Sequence, residues 1–147
     1  MAAGASKLFI GAEALAQARK DAERAYPDEC CGIFYGKIYE GCNKEVMRAE
    51  SIRNAFDETE RFHRFRIPAE QMLAAELKAR REELDIVGFY HSHPDHDPVP
   101  SEYDRSHALP VYSYLIIACR EGRAAETENW VLDADTQSFI SEEMKEI

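Results

Sequence analysis

The amino-acid sequence predicts an α+β fold, a single mixed β-sheet with helices packed on it. Two observations predict it. Segments 11–26 and 68–83 carry apolar residues at helical spacing. Apolar and aromatic runs bounded by glycine, proline or polar turns lie before, between and after them. That order of elements is the pattern of one central sheet covered by helices, and no repeat or linker divides residues 1–147 into more than one domain.

In the first helix, over 11–26, Ala14, Leu15, Ala18, Ala22 and Ala25 recur on one side, and Pro27 ends it. Residues 31–39 are apolar and aromatic with glycines at the edges and read as a strand. Residues 45–51 read as its partner across the turn Gly41-Cys42-Asn43. Segment 52–66 has no clear period, and a further strand is expected around 62–67. The second helix, 68–83, starts at Pro68 with Met72, Leu73 and Leu77 on one side. A strand follows at 85–93, then a short helix at 101–109. Strands at 112–119, 127–133 and 139–144 complete the sheet.

Composition excludes several functions. The net charge of -10 disfavours nucleic acid as a partner, because phosphate binding needs a basic face. Arg61, Arg64 and Arg66 form a local basic run that reads as a solvated segment. The longest apolar stretch, 111–119, is too short to span a bilayer, so no membrane partner is expected. Residues 1–6 lack the basic-then-apolar pattern of a signal peptide, which makes the cytoplasm the simplest placement. Cys30, Cys31, Cys42 and Cys119 match no CxxC zinc pattern and read as small buried hydrophobes.

The chemistry lies at the end of the 85–93 strand. His91 and His93, two apart, project from the same strand face, where two imidazoles can share one ion, and Ser92 faces the other way. A loop stiffened by Pro94, Pro98 and Pro100 puts seven residues between His93 and Ser101, and Asp104 follows three positions later. Two histidines and a carboxylate leave a fourth tetrahedral position for water, as hydrolytic zinc sites do. Each part alone also reads as ordinary structure. Ser101-x-x-Asp104 fits a helix capping box, and an oxygen committed to a metal is not expected to serve as a cap as well. Asp95, His96 and Asp97 read as rim groups of the loop. His107 reads either as a partner one turn after Asp104 or as a surface residue, and Trp130 reads as core.

Taken together, His91, His93, Ser101 and Asp104 resemble the JAMM motif of MPN-domain metallopeptidases, and Gly88-Phe89-Tyr90 and Pro94 extend the likeness. The run from Pro27 through Glu29, Cys30, Cys31 and Gly32 to Gly36 looks like the family's upstream segment. The resemblance covers almost the whole chain and implies the MPN, cytidine-deaminase-like architecture. It implies Zn2+ held by His91, His93 and Asp104, Glu29 as general base beside the metal, and Ser101 as an oxyanion donor. Asp28 is the neighbouring alternative to Glu29. It further implies an isopeptidase acting on the C-terminal Gly-Gly tail of a ubiquitin-like or sulfur-carrier protein, since the chain is compact around its motif like minimal stand-alone prokaryotic members. A hydrolase of small or cell-wall peptides is a second enzymatic reading. A non-catalytic MPN scaffold is a third, against which the intact residue set argues.

Overall fold

The structure, a computed structural model, describes residues 6–56, 59–61 and 64–147. Among the described residues, eight strands form one mixed sheet: β1 (Lys7–Ile10), β2 (Cys31–Ile38), β3 (Lys44–Ile52), β4 (Asp85–Pro94), β5 (Ser113–Arg120), β6 (Arg123–Asp133), β7 (Ser138–Ser141) and β8 (Glu143–Glu146). Their spatial order is β7-β6-β5-β4-β2-β3-β1-β8. β4 runs parallel to β5, and β1 runs parallel to both β3 and β8; the other neighbours are antiparallel. The helices are α1 (Ala12–Ala25), α2 (Ala69–Arg81) and α3 (Glu102–Ser106).

The sheet is covered on both faces. On one, Ala14, Ala18 and Ala22 of α1 pack against Phe34, Val87, Tyr90, Leu115 and Ile117. On the other, Ala75 and Ala79 of α2 pack against Ile33, Tyr35, Ile86 and Phe89. Alanine on both helices lets the backbones approach the sheet closely, while the larger side chains come from the strands. Two glycines serve the same close packing. A Cβ on Gly88 would lie 2.0 Å from the Ser113 carbonyl oxygen, and one on Gly32 would lie 2.1 Å from the Tyr90 ring.

Several expectations change. β1 is not expected from the sequence; four residues are too few for a visible period, and parallel pairing to β3 and β8 makes it a strand. The single strand expected at 139–144 is two strands on opposite ends of the sheet, β7 beside β6 and β8 beside β1. Glu142 sits between them and explains the break. Its buried carboxylate accepts from Ser6, Ser113 and Asn129 and pairs with buried Lys44, so the chain is anchored where it passes from β7 to β8. The α2 face is also different: Leu73 and Leu77 are exposed, and Met72, Ala75 and Ala79 point inward. Of the strand expected at 62–67, residues 62 and 63 lie outside the described residues, and 64–67 is not a strand.

The topology places the ends that matter together. β2 and β4 are antiparallel, and their ladder ends at the pair Cys31 and His91. The start of β2, with Glu29 just before it, therefore lies beside the end of β4. The parallel crossover from β4 to β5 carries α3 back over the same end of the sheet, at the carboxyl end of a strand where open sheets bind ligands.

Candidate metal centre and active site

His91 and His93 leave β4 on the face that packs α2, and both are buried. Phe65 stacks on the His91 ring with centroids 4.5 Å apart. The His93 Nδ1–H donates to the Asp97 carbonyl oxygen at 2.9 Å, which leaves Nε2 as the free lone pair. Asp97 is fixed in turn by Arg120, and the next carbonyl, that of Pro98, accepts from Trp130 Nε1–H at 3.1 Å. The proline loop is thus held rigid where it orients a ring nitrogen.

Asp104 comes from the first turn of α3. Its Oδ2 lies 3.2 Å from both His91 Nε2 and His93 Nε2, and the two Nε2 atoms are 3.3 Å apart. Among the described residues these three side chains form the one group able to hold a metal ion. The same Oδ2 accepts the Ser101 N–H at 2.9 Å, while the Asp104 N–H donates to Ser101 Oγ at 3.0 Å, a complete capping box. The Asp104 oxygen that closes the capping box is thus also the one that faces both histidines. A carboxylate oxygen has lone pairs enough for a backbone N–H on one side and the histidine nitrogens on the other. Burial alone would raise the Asp104 pKa. The His91 ring, its hydrogen bond and the Ser101 N–H outweigh burial and hold the carboxyl well below the usual range.

Glu29 is buried, and its Oε1 has no hydrogen-bond partner among the described residues. Burial first, and the charge of Asp104 second, push its pKa up to about 9. Asp28, the alternative, is only half-buried. A carboxylate desolvated, unpaired and set against a second carboxylate is the pattern of a group that handles protons. A cavity of about 270 Å³ opens beside His91 and Asp104, walled mainly by Phe65, Ile67, Met72, Phe89, Tyr114 and Phe139.

The sequence profile of prokaryotic homologs of the JAB domain matches residues 11–133. A desampylase of Haloferax volcanii is 34% identical over 133 residues, covering 87% of this chain and 91% of that protein. The chain belongs to the prokaryotic JAB family. A desampylase of Pyrococcus furiosus is 34% identical over 76 residues, 52% of this chain and 49% of that protein. Among solved structures, a protein from Desulfitobacterium hafniense superposes with a TM-score of 0.81 at 22% identity, covering 95% of this chain and 92% of that one. A protein from Salinibacter ruber superposes with a TM-score of 0.72 at 31% identity, covering 94% and 90%. The JAB domain is a JAMM-type hydrolase.

The remaining polar groups of the JAB domain fall outside the three-residue group. Burial pushes the Cys30 thiol up to about 12, so it is not a thiolate at neutral pH. His96 is exposed on the proline loop, and His107 stacks on Tyr103 with centroids 4.1 Å apart. His63 lies outside the described residues. No helix among the described residues is long and apolar enough to cross a membrane. Three contributors carry no sequence signal: Phe65 against His91, the Asp97 carbonyl on His93, and Asn54, whose amide holds the Glu29 carbonyl at 3.1 Å. Each acts from an aperiodic loop, and the Asp97 contact is made by backbone, which no residue type encodes.

Proposed function

We propose that this JAB domain is a zinc-dependent isopeptidase that hydrolyses the amide at the C-terminal Gly-Gly tail of a ubiquitin-like or sulfur-carrier protein. The observation that carries the reading is the triangle of His91 Nε2, His93 Nε2 and Asp104 Oδ2, with sides of 3.2, 3.2 and 3.3 Å. A tetrahedral zinc ion with bonds of about 2.0–2.1 Å needs donors about 3.3–3.4 Å apart. The donor set of two imidazoles and one carboxylate is also that of catalytic zinc, with a fourth position open. Zinc bound there supplies Lewis-acid polarisation of the scissile carbonyl and a water whose pKa falls to about 7.

The chain's own residues do the rest. Glu29 takes the proton of the attacking water at its unpartnered Oε1 and passes it to the leaving nitrogen as the C–N bond breaks. Ser101 Oγ accepts from the Asp104 N–H, so its own hydrogen is free to donate to the developing oxyanion. A donor in that role is worth about 3 kcal/mol in other acyl-transfer enzymes. The apolar cavity keeps water from one side of the reacting group. The substrate half of the reading rests on the JAMM resemblance and on the two relatives named desampylase.

The test is cleavage of a ubiquitin-like protein joined through its C-terminal Gly-Gly to the amine of a reporter. The expected product ends in the second glycine, a chelator stops its formation, and added zinc restores it. Cleavage of short peptides with the fusion left intact would contradict the proposed substrate.

A further inference from the structure

The β2–β3 ladder stops at the pair Cys31 and Ile52, one residue short of where the backbone of Glu29 and Cys30 needs holding. Two side chains and one backbone carbonyl take over there. Ser92 Oγ accepts the Cys30 N–H at 2.8 Å, and the Arg61 carbonyl accepts the Glu29 N–H at 2.7 Å. Asn54 Nδ2 donates to the Glu29 carbonyl at 3.1 Å.

Asn54 differs from the other two in being saturated. Its Nδ2 also donates to the Arg64 carbonyl at 2.9 Å, and its Oδ1 accepts from the N–H groups of Phe56 at 3.0 Å and Arg66 at 3.1 Å. An amide has two donors and two acceptor lone pairs, and all four are used here. Two carbonyls on one side and two N–H groups on the other specify its orientation. The Ala55 N–H donates to the Arg66 carbonyl at 3.0 Å, so the loop is closed at its base by the same residues. From that closed base Phe65 reaches His91, and the Phe65 carbonyl accepts from Tyr103, the residue before Asp104.

We propose that Asn54 is a positioning residue for Glu29, fixing the backbone from which the carboxylate reaches the site. The proposal rests on Glu29 carrying the proton. Asn54 lies outside the group of His91, His93 and Asp104, and it acts through the carbonyl of Glu29. A displacement of about 1 Å in a reacting group costs on the order of a hundredfold in rate.

Asn54→Asp separates the two halves of the amide. The acid keeps both acceptors, so Phe56 and Arg66 stay bound, but it loses both donors and turns an oxygen towards the Glu29 and Arg64 carbonyls. Zinc content should be unchanged, KM should move by less than about twofold, and kcat on the Gly-Gly fusion should fall about ten- to hundredfold. The deciding measurement is a double-mutant cycle with Glu29→Gln. If Asn54 works through Glu29, Asn54→Asp adds no further loss to the residual hydrolysis of Glu29→Gln. An equal loss in both backgrounds, a wild-type kcat in Asn54→Asp, or loss of zinc overturns the proposal. Asn54→Ala run through the same cycle covers the case in which the aspartate variant does not fold. A wild-type kcat in Glu29→Gln alone overturns the proton assignment and this proposal with it. An inactive Glu29→Gln with additive Asn54 variants overturns only the role of Asn54.

Discussion

Glu29→Gln is expected to lower hydrolysis of the Gly-Gly fusion about a hundred- to ten-thousand-fold, the usual worth of general acid–base catalysis, with zinc unchanged. Glutamine keeps the length and the hydrogen-bonding capacity of the side chain. It cannot take up a proton at neutral pH. The physical case is the combination found at this residue: full burial, an Oε1 without a partner, and a pKa raised by burial and by the Asp104 charge. A carboxylate placed there for stability would be paired, because an unpaired buried charge is costly. The variant should also fold, since glutamine matches the size of the side chain it replaces. Turnover is followed by fusion cleavage and metal by elemental analysis. Full activity would move the role to Asp28. Loss of zinc would make Glu29 a ligand and leave no open position for water.

Asp104→Asn is expected to behave differently and to lose both metal and turnover. The asparagine has no charge to set against a dication, and one of its two terminal atoms is a donor that cannot face a ligand triangle. Substitutions of outer-shell partners already cost about ten- to hundredfold in metal affinity, so a direct ligand should cost at least about a hundredfold. The fold should survive. Weakening the capping box costs about 1 kcal/mol, and α3 is a single exposed turn on the crossover. A zinc titration followed by a competing chelator measures the affinity. Asp104→Asn with wild-type zinc affinity would remove this residue from the ligand set.

The parts legible in the sequence are those set by local period. The alternating strand at the end of β4 puts His91 and His93 on one face, and helical spacing marks α1 and α2. The buried face of α2 differs from the expected one because Leu73 and Leu77 are larger than Ala75 and Ala79. Hydrophobicity favoured the leucines, while closeness to Tyr35 and Phe89 on the sheet required the alanines. The C-terminal strands were misread because nothing local distinguishes 139–144 from one strand. Four long-range partners of Glu142 decide the break. The loop from 53 to 67 was opaque for a related reason. Its order comes from one asparagine amide bonding four backbone groups, and such bonds leave no repeat in the sequence. Ser101 and Asp104 are legible in the sequence both as a cap and as candidate site residues, and the structure shows that the Asp104 oxygen facing His91 is the one that accepts the Ser101 N–H.

The central claim, that His91, His93 and Asp104 hold one catalytic zinc, is tested most directly by elemental analysis of the purified chain beside its His91→Ala/His93→Ala variant. About one zinc per chain is expected in the first and none retained through gel filtration in the second. The same zinc content in both would place the metal elsewhere and contradict the account.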